Sequence, residues 1–264
     1  MTSAWSSGTG MAGVGGALAY LLLFSVMKLS NSTVFLLLAP LNLVYMFAFV
    51  WITRSRSQTM DEKLEPLSPI KESKELTNLQ DPDVFGYESS FLRFFRVFGY
   101  VASIALQMAA VYFFEYVVCY GFGSRIANYE KDSTQWAYSH AYEILCFLYQ
   151  IGVLISRSSL SVIQIKKLWI LTTLRGCNFL VWFYMALNPQ SILPIGILFA
   201  HMVFIGLLGG ASYVNSFALL MNTRTIPEQD REFAINIVAI FITLGTVGSA
   251  LFELIADNTF LLKH

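Results

Sequence analysis

The feature that most constrains this chain is the length of its apolar blocks. Seven stretches carry few charges or none: Gly10–Met27, Thr33–Ile52, Val97–Tyr120, Tyr138–Ile155, Leu168–Leu187, Ile192–Met221 and Ala234–Ala256. A helix needs about 20 consecutive apolar residues to cross the hydrocarbon core of a bilayer. The chain therefore reads as an all-α integral membrane protein, a polytopic helical bundle with about seven transmembrane helices. Composition agrees, since 13% of the residues are charged, against about a quarter in a soluble domain. The lipid bilayer is its first expected partner. With zero net charge and no basic tract, nucleic acid is not expected, because phosphate binding needs clustered lysine and arginine.

The one extended polar stretch divides the blocks. Residues 1–53 hold two spans, residues 54–96 form a linker, and residues 97–264 hold five spans. In the linker, Asp61-Glu62-Lys63-Leu64-Glu65-Pro66-Leu67-Ser68-Pro69 mixes charges with prolines and cannot bury a core, so disorder is expected. Lysine and arginine set the orientation. Arg54, Arg56, Arg93, Arg96, Arg157, Lys166, Lys167 and Arg231 fall on one side, and Lys28, Arg125, Lys131 and Lys263 on the other. The first set belongs in the cytosol. Small residues four apart (Gly206 with Gly210, Gly245 with Ser249, Ala12 with Gly16) predict close helix packing.

Polar side chains inside the blocks are the candidate functional residues, because a charge in hydrocarbon costs about 2.5–3.5 kcal/mol and must face protein or water. Glu115, Glu143 and Glu253 read as a layer near the lumenal face. Gln150, Arg157, Arg175, Tyr213 and Asn215 read as nearer the cytosolic half. For Glu253 and Arg157 the alternative is an interfacial, snorkelling side chain. A carboxylate layer of this kind would respond to compartment pH and suit proton-linked transport.

Enzyme chemistry is not expected. The sequence holds no zinc-protease helix motif, nucleophile elbow or phosphate-binding loop. Neither cofactor nor metal is expected, since Cys119, Cys146 and Cys177 fit no ligand spacing and His140 and His201 stand alone. Asn31-Ser32-Thr33 matches a glycosylation sequon, but its short loop lies too tightly against the membrane for use.

Five runs occur in an order that resembles the battenin family of lysosomal and vacuolar membrane proteins. They are Trp5-Ser6-Ser7-Gly8-Thr9-Gly10, Val111-Tyr112-Phe113-Phe114-Glu115-Tyr116, and Tyr149-Gln150-Ile151-Gly152-Val153 with Ser156-Arg157-Ser158-Ser159-Leu160. The others are Gly206-Leu207-Leu208-Gly209-Gly210-Ala211-Ser212-Tyr213-Val214-Asn215 and Arg231-Glu232-Phe233-Ala234. The resemblance implies a partial major-facilitator-like architecture, in which the first two spans end an amino-terminal bundle and the other five form the carboxy-terminal bundle. The family's earlier helices are missing, which implies a short isoform, an incomplete gene model or a fragment. Rocking one bundle against another would then need self-association or a partner chain.

The resemblance implies a place in the lysosomal or vacuolar membrane. It also implies a part in lysosomal pH homeostasis and in moving a small-molecule solute, either basic amino acids or glycerophosphodiesters. Glu115, Gln150, Arg157, Tyr213, Asn215, Arg175 and Glu143 would line the pathway. The alternative is a non-transporting membrane adaptor or regulatory short isoform in lysosome organisation and trafficking.

Overall fold

The computed structural model describes residues 2–63, 90–129, 135–159, 164–165, 167–223, 225–259 and 261. Among the described residues the chain is helical and contains no strand. Ten α-helices follow in order: α1 Thr2–Tyr20, α2 Asn31–Leu38, α3 Pro40–Lys63, α4 Ser90–Tyr116, α5 Gly123–Tyr129, α6 Trp136–Ser139, α7 Ala141–Ser158, α8 Leu168–Leu187, α9 Ile195–Asn222 and α10 Arg231–Asn258. Among the described residues, six stretches are long and apolar enough to cross a membrane: Ser7–Val26, Asn31–Ser55, Phe91–Tyr129, Leu168–Leu187, Ile195–Asn222 and Glu228–Asn258.

Several boundaries differ from the sequence reading for identifiable reasons. α1 and α4 each continue through a π-helical segment, Leu21–Val26 and Val117–Phe122. The second joins α4 to α5 as one helical stretch of 39 residues. The second expected span starts with α2, whose first turn is capped by Ser30 accepting from the Thr33 amide at 3.2 Å. It then breaks at Ala39, where proline at 40 cannot continue the hydrogen-bond ladder. The fourth expected span, α7, is not among the six. Its 18 residues carry Glu143, Gln150 and Arg157, and at 1.5 Å per residue it extends about 27 Å. The linker expected over 54–96 is shorter at both ends, because α3 runs to Lys63 and α4 begins at Ser90. Residues 64–89 of that linker lie outside the described residues.

α7 and α9 form the most extensive helix pair, followed by α4 with α10 and α1 with α7. Glycine explains the first. A β-carbon on Gly152 would overlap the Val203 carbonyl and stand 3.0 Å from the Gly206 α-carbon. One on Gly206 would overlap the Tyr149 carbonyl, and one on Gly210 the Ser156 hydroxyl. Gly245 sits equally close to the Ala109 carbonyl and lets α10 run against α4. Of the expected small-residue pairs, Ala12 with Gly16 fails, because Gly16 faces open space. Gly10 and Gly13 are the glycines of α1 that meet α7, at Leu154 and Gln150.

Two larger buried clusters, with a smaller third of Leu168, Leu171 and Leu208, fill the helix group. One joins Val117, Phe122, Leu145, Trp182, Met202 and Ala256, and the other Val97, Val101, Met108, Ile237 and Val238. Asp230, 1% exposed, receives Arg93 at 2.9 Å and Arg96 at 3.0 Å, pinning the starts of α4 and α10 together. Thr9 of α1 meets Arg157 at the end of α7, and Arg125 of α5 reaches the Ala186 and Leu261 carbonyls. Arg93 and Arg96 thus meet where α4 and α10 begin. The stretch Asn31–Ser55 stands apart, with none of its apolar window buried.

Candidate functional site

α4 and the π-helical segment after it carry three tyrosines four residues apart, Tyr112, Tyr116 and Tyr120. Consecutive rings lie 6.0 and 5.2 Å centre to centre. The π-helical segment holding Tyr120 adds a residue to the local turn, a distortion often kept at functional positions. Beside these tyrosines lies a cavity of about 120 Å³, lined by Tyr112, Glu115, Tyr116, Cys119, Tyr120, Tyr149, Gln150, Val153, Arg157 and Gly209. A second cavity of about 240 Å³ shares Cys119, Tyr120, Tyr149 and Gln150 with it. That cavity extends between α1 and α7 past Gly13, Ala17, Tyr20, Glu143, Cys146 and Met202. A third hollow of about 410 Å³ takes up Tyr120 again and ends at Arg125, Glu253 and Asp257. Tyr120 thus borders all three.

Two opposite charges face the central cavity. The Arg157 guanidinium stacks on the Tyr213 ring, 4.4 Å from its centre, and donates to the Thr9 hydroxyl at 3.0 Å. A cation held on an aromatic face in this way keeps its charge. Glu115 is 4% exposed, and one of its carboxylate oxygens lies 3.3 Å from Arg175 Nη2. Gly209 makes room for that pair. A β-carbon there would overlap Arg175 Nη2 and come within 2.7 Å of Glu115 Oε1.

The expected pathway residues separate accordingly. Glu115, Gln150 and Arg157 line the central cavity, and Glu143 lines the adjoining one with Gln150. Tyr213 supports Arg157 through its ring face. Arg175, 1% exposed, stands behind Glu115 and is absent from the lining of these cavities. Asn215 is engaged elsewhere: its Oδ1 accepts from the Ile165 amide at 2.6 Å, and its Nδ2 donates to the Ala211 carbonyl at 2.8 Å. That arrangement fixes the segment before α8. The expected carboxylate layer also divides. Because the helix continues past Tyr120 to Tyr129, Glu115 lies about 20 Å from its end rather than one turn, and it belongs with Arg157 and Arg175.

Sequence reasoning missed Thr9, Gly209 and the tyrosines at 112, 116 and 120. The tyrosine spacing of four was the available signal. His201 Nε2 bonds Asn178 Oδ1 between α9 and α8. Among the described residues, no group of three or more histidine, cysteine or acidic side chains is placed to hold a metal ion.

Long apolar helices packed around a charged cavity define a polytopic α-helical membrane protein. The ordered runs of the sequence then find their match: the CLN3 protein family profile covers residues 1–262, and the chain belongs to that family. It is 34% identical to Battenin of Dictyostelium discoideum over 281 residues, covering 99% of this chain and 66% of the relative. It is 33% identical to Battenin of Canis lupus familiaris, covering 95% of the chain and 56% of the relative. It is 27% identical to Protein BTN1 of Saccharomyces cerevisiae, covering 95% and 64%. The chain thus spans less than two thirds of the length of the relatives it matches. No solved structure matches it.

Proposed function

We propose that this chain is the solute-contacting portion of a non-enzymatic transporter in a lysosomal or vacuolar membrane. The observation that carries the reading is the central cavity, where Glu115 and Arg157 bring opposite charges into the span with Tyr112, Tyr116 and Gln150. Ionisable groups are costly in a membrane and mark solute and ion paths when they face a cavity. A carboxylate opposite a guanidinium suits a small solute with a charged end, and basic amino acids and glycerophosphodiesters are the two classes to test. Arg157 would receive an anionic group, and Glu115 a cationic group or a proton. Movement through this site would contribute to lysosomal pH homeostasis.

Flux of arginine, lysine and glycerophosphodiesters into proteoliposomes under an imposed pH gradient tests the reading. Arg157→Ala is expected to abolish flux while folding and membrane insertion persist. Flux at the parental level would overturn the pathway assignment. The second reading is a non-transporting adaptor in lysosome organisation and trafficking. It is favoured by Asn31–Ser55, whose apolar window is exposed throughout and whose face a partner chain or a second copy would occupy. Deleting residues 64–89 cripples an adaptor acting through its linker and leaves a transporter's flux in place.

A further inference from the structure

Arg175 occupies the least exposed position of any charged side chain near the cavity, yet it is not part of the cavity lining. It projects from the inward face of α8, where Asn178 and Trp182 follow, and its side chain is 1% exposed. Among the described residues its Nε, Nη1 and Nη2 have no hydrogen-bond acceptor. Its one ionic contact is the Glu115 carboxylate at 3.3 Å. The pair fits only because position 209 has no side chain, and Gly209 and Glu115 form the cavity wall that separates Arg175 from the interior. A buried arginine with five donors and a single ionic partner is placed to act through that partner.

We infer that Arg175 is a positioning residue that holds the Glu115 carboxylate against the α8–α9 wall and so keeps the cavity open between Glu115 and Arg157. The inference rests on the transport reading above. Arg157 lines the same cavity as Glu115 from α7. With the charge at 175 removed, Arg157 becomes the cation that draws Glu115 across the space a solute would fill. A carboxylate lying across the cavity competes with the solute. If such a self-paired form holds nine molecules in ten, apparent affinity falls about tenfold, because binding is scaled by the competent fraction. The turnover of molecules that do bind changes far less. This sets Arg175 apart from a merely structural residue, whose loss would lower the amount of folded protein and leave KM unchanged.

The test uses the full chain in proteoliposomes with two readouts. The first is the infrared carboxylate band of Glu115, identified by difference against Glu115→Gln and measured without solute. The second is the KM and kcat for arginine and for a glycerophosphodiester. Arg175→Met is expected to move the band and to raise KM about tenfold or more with kcat nearly retained, and Arg175→Lys to restore both. Should Arg175→Met fail to fold, Arg175→Gln takes its place and Arg175→Lys still reports rescue. An unmoved Glu115 band, or a fall in kcat with KM unchanged, overturns the positioning role. Absence of flux from the parental chain would refute the transport reading, while the infrared band would still decide whether Arg175 directs Glu115.

Discussion

Gly152→Ala sets two effects of opposite sign against each other at the α7–α9 contact. Alanine gains about 1 kcal/mol over glycine in a helix interior. Against that gain, the new β-carbon would overlap the Val203 carbonyl and stand 2.9 Å from the Leu207 nitrogen and 3.0 Å from the Gly206 α-carbon. All three are backbone atoms of α9 and cannot rotate aside, so the helices must separate. Ordinary carbon contact lies at about 3.5–4.0 Å, and an opening of 0.5–1 Å forfeits a quarter to a half of the local dispersion attraction. Overpacking of this kind costs about 1–3 kcal/mol, and a clash against backbone belongs in the upper part of that range. The net expectation is a loss of about 1–2 kcal/mol.

Gly99 and Gly16 are the controls, since nothing lies within 4 Å of a β-carbon at either. There only propensity acts, and alanine is expected to be neutral or to stabilise by up to about 1 kcal/mol. Equilibrium unfolding in mixed micelles, followed by tryptophan fluorescence, measures all three. Equal stability of Gly152→Ala and Gly99→Ala would refute the close-approach reasoning. Gly206→Ala meets the Tyr149 carbonyl and the Val153 nitrogen and is expected to behave as Gly152→Ala does.

Other perturbations read other parts of the molecule. Asp230→Asn keeps the shape that Arg93 and Arg96 surround but removes the charge they share. Those arginines are 41% and 37% exposed, so solvent screening reduces the expected loss to about 1 kcal/mol, measurable in the same micelle unfolding assay. A loss several times larger would mean that the bridge does more than pin α4 to α10. The sequon asparagine Asn31 accepts the Tyr20 hydroxyl at 2.8 Å and opens the first turn of α2. Protein made in eukaryotic cells is expected to keep its gel mobility after glycosidase treatment, and a shift that Asn31→Gln removes would overturn that expectation.

Apolar block length decided much about this protein before any fold was known. About seven spans are expected from it, and six stretches among the described residues are long and apolar enough to cross a membrane, because in hydrocarbon the backbone bonds of a spanning helix must be satisfied within the helix itself. The ordered runs around Glu115, Gln150 and Arg157 likewise disclosed the family. Local sequence could not show which polar side chains share a cavity, since that depends on which helices touch and in what register. Glu115 reads as a lumenal-end carboxylate until the continuation from Val117 to Tyr129 moves it toward the middle of its helix. Arg175 and Asn215 read as pathway residues until packing places one behind Gly209 and spends the other on the Ile165 amide. Gly209 carries no side chain for a pattern to register. Its importance is the space it leaves, and only the meeting of α4, α8 and α9 creates that space.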